Sequence, residues 1–291
     1  MNEFTFDKTY APSLKIPKFI QFTFKFLNFI STRVALKFAN KLFTTPISFK
    51  RPKREVPMLD ASQKKIITIP AISKEIHVLT YGYSDKKVLL AHGWAGRDTQ
   101  LFMIANKLLE KGFMVIAFDA PSHGKSSGKQ TNLLEYIEAV KEINKQFGPF
   151  EAAVGHSFGG MTLLNAQANT AIFKCIVTIG SGNSISTILN NFSNNLGLSK
   201  SFGQKLKCYL EQKWNVKVDS YSSSVVAKKI SVPVFVVHDV LDGDVHVSCG
   251  IKIRQNLLKG QLLITQGLGH TKILRDKNIT NRIINYIIKN I

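Results

Sequence analysis

The sequence predicts an α/β protein: a mostly parallel, eight-stranded sheet with helices on both faces and a small helical cap. Three observations predict it. Short β-rich runs recur between residues 66 and 264, and helical stretches lie between many of them. Several runs, such as Val88–Ala91 and Val234–Val237, are apolar throughout, the pattern of strands buried on both faces. Finally, one such run leads directly into a glycine-flanked serine followed by a helical segment. Strands that alternate with helices assemble into a parallel sheet.

The runs in order are Ile66–Ile69, Ile76–Tyr81, Val88–Ala91, Val115–Phe118, Ala152–Val154, Ile176–Ile179, Val234–Val237 and Leu262–Ile264. Asp98 can cap a helix whose apolar face includes Leu101, Ile104, Ala105 and Leu108 and which stops at Gly112. Thr131 or Asn132 can start a second, running through Leu133, Tyr136, Ile137 and Val140 to end before Gly148-Pro149. A last helix is expected over Asn278–Lys289. Residues 183–229 break the alternation. They hold no strand-like run and are rich in Ser, Asn and Lys, too long for a plain connection, and are expected to form the cap over the strand ends.

Residues 1–60 read as a separate basic arm, and 61–291 as the main domain. Between Asp7 and Glu55 there is no acidic residue, while Lys8, Lys15, Lys18, Lys25, Arg33, Lys37, Lys41, Lys50, Arg51, Lys53 and Arg54 fall there. Ile20, Phe24, Leu27, Val34, Phe38 and Leu42 sit near helical spacing, although Phe22, Phe24 and Phe26 alternate as a strand would. The arm either packs on the body of the protein, lies on an anionic membrane surface, or contacts another partner. No nucleic-acid motif accompanies it, so nucleic acid is not expected. The net charge of +20 also draws on lysines scattered through the rest of the chain.

Composition narrows the setting. Lys25 interrupts the apolar run Phe19–Ile30 and Arg33 ends it, short of the roughly 20 residues a membrane span needs. The start MNEFTFDK carries acids where a secretory leader would be basic. Cys175, Cys208 and Cys249 are far apart, without metal-ligand spacing or a disulfide framework. A cytoplasmic protein is expected, either free or peripheral to the inner membrane face, with no metal or organic cofactor.

The chemistry is carried by Ala152-Ala153-Val154-Gly155-His156-Ser157-Phe158-Gly159-Gly160. An apolar strand enters G-x-S-x-G and a helix can follow, the setting in which this motif exposes a nucleophilic serine at a sharp turn. A serine hydroxyl needs a base to take its proton. His270, in Gly267-Leu268-Gly269-His270 after the last strand, is the candidate. His156 should point away from the hydroxyl, and His77, His92 and His123 sit in other contexts. The base in turn needs a carboxylate to hold its tautomer. The loop after Val234–Val237 offers Asp239, Asp242 and Asp244, of which Asp242 is favoured; Gly180-Ser181-Gly182-Asn183, after the preceding strand, offers none. The oxyanion of acyl transfer needs two backbone N–H donors. Phe158 should supply one, and Trp94, in the loop His92-Gly93-Trp94-Ala95-Gly96-Arg97, the other. Arg97 is a candidate for an acidic substrate group, with a surface ion pair as the alternative.

Together the HGW loop, the segment Phe118-Asp119-Ala120-Pro121-Ser122-His123-Gly124-Lys125-Ser126, GHSFGG, the acid loop and GLGH make residues 64–291 resemble the α/β-hydrolase fold superfamily. The resemblance implies hydrolysis of an ester or thioester of a small acyl substrate through a Ser157–His270–Asp242 triad. The segment from Phe118 looks like the superfamily's D-x-P-x-H-G-x-S turn, a structural element, so His123 receives no catalytic role. The same triad could serve amide or carbon–carbon cleavage or acyl transfer, and a non-catalytic, membrane-associated binding module is the reading from a different class.

Overall fold

The computed structural model describes residues 9–12 and 16–291. The acids of the first residues, with Lys8 and Lys15, lie outside the described residues.

Eight strands form one sheet: β1 (Gln63–Ile69), β2 (Lys74–Tyr81), β3 (Lys87–Ala91), β4 (Met114–Phe118), β5 (Phe150–His156), β6 (Phe173–Ile179), β7 (Val234–Asp239) and β8 (Gly260–Thr265). Their spatial order is β1-β2-β4-β3-β5-β6-β7-β8. β2 is antiparallel to both of its neighbours, and every pairing from β4 across to β8 is parallel. Each of the eight expected runs lies within a strand.

The helices are α1 (Lys18–Ile30), α2 (Thr32–Thr44), α3 (Val56–Asp60), α4 (Phe102–Glu110), α5 (Leu133–Phe147), α6 (Phe158–Asn169), α7 (Ile185–Asn195), α8 (Lys200–Trp214), α9 (Ser223–Val226), α10 (Ser248–Asn256), α11 (Gly269–Lys272) and α12 (Lys277–Lys289). The central strands alternate between two cores. On β3, Leu89 and Ala91 face α5 and α6, where Tyr136, Val140, Leu163 and Leu164 are buried. Val88 and Leu90 face α4 and α12, with Ile104, Leu108, Ile283 and Ile287. Both faces of the sheet are therefore covered, which is why these strands carry no polar face.

Two helix starts illustrate local and distant control. Asn132 caps α5, its side chain accepting the Glu135 N–H at 3.1 Å. Asp98, expected to cap the next helix upstream, does not: α4 begins at Phe102 without a side-chain cap. The Asp98 carboxylate is drawn instead to Arg51 at 2.7 Å and His77 at 3.1 Å. Arg51 comes from the arm, so the competing partner is remote in sequence.

The segment from Ile20 to Leu42, periodic as one helix in the sequence, is divided between α1 and α2. The chain breaks at Ser31, whose hydroxyl caps α2. Residues 183–229 contain α7, α8, α9 and short 3-10 turns. Phe24, Ala35 and Ala39 of the arm share a third core with Leu189, Leu196, Phe202, Leu206 and Leu210 of this region. Val34 and Phe38, expected on the same face as Phe24, stay exposed because the break at Ser31 resets the helical phase.

Candidate active site

In a sheet of this order the chain leaves β3 for β4 on one side, and β5 lies on the other. The carboxyl ends of β3 and β5 therefore flank a crevice, the usual ligand position of an open parallel sheet. Ser157 follows β5 and His92 follows β3.

Ser157 holds φ 52° and ψ −116°, a conformation that non-glycine residues rarely adopt. The turn is over-determined from below. The Ser157 N–H donates to Ile179 O at 2.8 Å, and Ser157 O accepts from Gly160 N–H and from the Ser181 hydroxyl at 3.0 Å. Glycines make the close approach possible. A Cβ on Gly159 would lie 2.3 Å from Ala91 O and 2.5 Å from His92 O.

The other two candidate catalytic residues meet. His270 Nδ1 and Asp242 Oδ2 are 2.7 Å apart, with Asp242 1% exposed. The second Asp242 oxygen, Oδ1, accepts the N–H groups of Asp244 and Val245 at 2.9 and 2.8 Å. Asp239 does different work. Its oxygens accept from Leu241 N–H, Leu268 N–H and the Thr265 hydroxyl, tying the acid loop to the histidine loop and holding its carboxyl below the usual range despite burial. His270 lies against the elbow: His156 Nε2–H donates to His270 O at 2.9 Å, with ring centroids 4.6 Å apart. Burial holds His156 well below the usual imidazole range and therefore neutral. Its ring also borders the HGW loop, where a Cβ on Gly93 would lie 2.9 Å from His156 Nδ1.

The HGW loop comes close to the nucleophile. A Cβ on Gly93 would lie 3.1 Å from Ser157 Cβ. Among the described residues, neither the Trp94 N–H nor the Phe158 N–H meets a protein acceptor. Two neutral histidines brace this loop. His92 Nδ1–H donates to Gly93 O and Nε2 accepts from Ala120 N–H at 2.9 Å. His123 Nδ1–H donates to Pro121 O and Nε2 accepts from Ala95 N–H at 3.1 Å. Burial pushes His92 down to about 3 and His123 down to about 4. Each ring needs one nitrogen bare to accept an N–H, so the neutral state is the one that holds the loop.

Arg97 does not reach for a substrate here. Its guanidinium forks onto Glu55, Nε to Oε2 at 2.6 Å and an Nη to Oε1 at 2.7 Å. Glu55 is only 2% exposed and also accepts from the Thr99 hydroxyl. The ion-pair reading of Arg97 thus fits its surroundings, although the pair is buried rather than on the surface.

Three supporting residues carried no readable signal in the sequence. A Cβ on Gly180 would stand 3.1 Å from His270 Nδ1 and 3.2 Å from Asp242 Oδ2, so this glycine makes room for the pair. Gln100 Oε1 accepts the Gly93 N–H at 3.1 Å. Tyr10 bridges the two catalytic loops, its N–H on Leu241 O at 2.9 Å and its hydroxyl on Gly267 O at 3.2 Å.

Among the described residues, two groups of three bring histidine and carboxylate atoms together: His77, Asp98 and Asp119, and Asp242, Asp244 and His270. In the first, Arg51 and the N–H groups of Asp98 and Lys125 already use the carboxylate oxygens. In the second, the imidazole and two backbone N–H groups use those of Asp242.

A family model described as alpha/beta hydrolase fold matches residues 86–203, the span from β3 through the elbow into the cap. No curated protein matches the sequence. Among solved structures, a membrane phospholipase A is 16% identical with a TM-score of 0.61, covering 81% of this chain and 89% of that one. An esterase from Exiguobacterium antarcticum is 18% identical with a TM-score of 0.61, covering 78% of this chain and all of the other. An esterase from a Rhodococcus species is 18% identical with a TM-score of 0.60, covering 79% and 99%. At such identities the likeness is one of fold. With its sheet order, its strand–elbow–helix and the matched segment, the chain has the α/β-hydrolase fold.

Proposed function

We propose that this protein is a serine hydrolase that cleaves an ester or thioester through an acyl-enzyme. The observation that carries the reading is the buried Asp242 carboxylate 2.7 Å from His270 Nδ1, with His270 held against His156 and Ser157 next in the chain at a positive-φ turn. Asp242 keeps the ring proton on Nδ1, which leaves Nε2 as the base for the Ser157 hydroxyl. Ser157 Oγ attacks the acyl carbon while its proton passes to His270. The carbonyl oxygen becomes an oxyanion, held by the Trp94 and Phe158 N–H groups and favoured by the N-terminus of α6. His270 then gives its proton to the departing alkoxide or thiolate, leaving the acyl group on Ser157. A water molecule, deprotonated by His270, attacks that ester, and collapse of the second oxyanion returns the proton to Ser157. The imidazolium formed midway is stabilised by Asp242, whose remaining oxygen is already satisfied by two backbone donors.

The names of the structural neighbours, two esterases and a phospholipase among them, support an acyl ester as the bond. Labelling with a fluorophosphonate, read by intact mass, tests the proposal. Wild type should take up one adduct that Ser157→Ala does not. A folded wild type that takes up none would refute it in favour of a binding role.

A further inference from the structure

One face of α1 has no partner among the described residues. Phe19, Phe22, Phe26 and Phe29 are 71%, 72%, 55% and 89% exposed. Their spacing of three, four and three residues puts them on one side of the helix. The helix cannot roll to hide them, because its opposite side is fixed. Phe24 is fully buried against the cap and stacks on Phe38 at 4.9 Å, and Gln21 Nε2–H donates to Asn195 O at 3.0 Å. Four adjacent exposed phenylalanines are unusual on a protein surface and mark a contact site.

The surrounding charge says what kind. Lys18 and Lys25 on α1, and Arg33, Lys37 and Lys41 on α2, are exposed, and no acidic residue lies between Asp7 and Glu55. A second copy of the chain meeting this face about a two-fold axis would bring those cations together without counter-charge. An anionic bilayer answers both features, taking the rings among its acyl chains and the cations at its headgroups. The helix has 13 residues, and no helix among those described is long and apolar enough to cross a membrane, so it would lie in the interface plane.

We propose that α1 is an interfacial helix that docks this protein on an anionic lipid surface through Phe19, Phe22, Phe26 and Phe29. Because α1 packs on α7 and α8, docking sets the cap side of the molecule against the lipid. The inference does not depend on the hydrolytic reading, since docking is measured without turnover.

The experiment is flotation of the full chain with phosphatidylcholine vesicles, with and without phosphatidylglycerol. Binding should require phosphatidylglycerol and weaken as salt is raised. Phe22→Ser and Phe29→Ser should each lower partitioning about tenfold. Lys18→Gln and Lys25→Gln should each lower it about fivefold. All four variants should keep the wild-type circular dichroism and melting temperature, because the replaced side chains are exposed. Wild type that stays unbound, or binds neutral vesicles equally well, would overturn the proposal. So would a dimer in sedimentation velocity that Phe22→Ser and Phe29→Ser abolish, which would assign the face to a second copy.

Discussion

Replacing Asp242 by Asn tests the catalytic assignment most sharply, because the surroundings dictate how the amide must sit. Oδ1 of Asp242 accepts two backbone N–H groups, from Asp244 and Val245, while Oδ2 faces His270 Nδ1. In the variant the amide oxygen has to remain with the two N–H donors. Turning it would set an NH2 against both and leave buried donors unmet at about 1–3 kcal/mol each. The NH2 therefore faces His270 Nδ1, which can only accept, and the ring proton moves to Nε2. A ring protonated at Nε2 cannot take the Ser157 proton. The expected loss is on the order of 10⁴ in kcat, roughly 5.4 kcal/mol of transition-state stabilisation. The assay is kcat/KM on a water-soluble ester together with the rate of fluorophosphonate labelling, both of which should fall with the fold intact. Asp239→Asn is the control. Its carboxylate ties loops together, so that variant should lose stability more than turnover. A folded Asp242→Asn enzyme within tenfold of wild type would refute the assignment, as would Asp239→Asn losing more turnover than Asp242→Asn.

Three further outcomes follow from the same structure. Gly159→Ala drives a Cβ into Ala91 O and His92 O, so it should cost about 3 kcal/mol in denaturant melts and abolish labelling; Gly112→Ala, with open space but φ of +78°, should cost only about 1 kcal/mol. Arg97→Met strands the buried Glu55 carboxylate and should destabilise by about 3 kcal/mol with KM for neutral esters unchanged; an unchanged melting temperature with a raised KM for acidic esters would return Arg97 to the substrate. Stability should also fall on acidification from pH 6.5 towards about 4. Over that range the unfolded chain protonates His92, His123 and His156 while the folded protein keeps them neutral, and burial lowers His238 as well. Asp119 opposes this, since burial and the nearby Asp98 carboxylate push it up to about 6 and the folded state holds its proton longer. The balance of about two protons, three histidines against one carboxyl, gives roughly 2.7 kcal/mol per pH unit. A denaturant midpoint that is flat or rises on acidification would contradict it.

Both the sheet and the elbow were legible before any coordinates, because their signals are local. A strand buried on both faces must be apolar along its length, as Val88–Ala91 is, and a strand–serine–helix turn must have glycines where backbones touch. Asn132 could be read as a cap because its partner, the Glu135 N–H, is three residues away. Asp98 could not be read correctly, because its partners are 47 and 21 residues away and outbid the adjacent helix end. The sequence left Arg97 open between an acidic substrate group and a surface ion pair; folding of the arm brought Glu55 onto it. The periodicity of the arm was visible but not its division at Ser31, which leaves Val34 and Phe38 exposed. Residue types and their short-range spacing determined the fold, the nucleophile and the short list of partners. Which carboxylate meets His270, what occupies Arg97 and which phenylalanines stay exposed were decided by contacts between distant segments, whose energies depend on burial and geometry that exist only once the chain has closed.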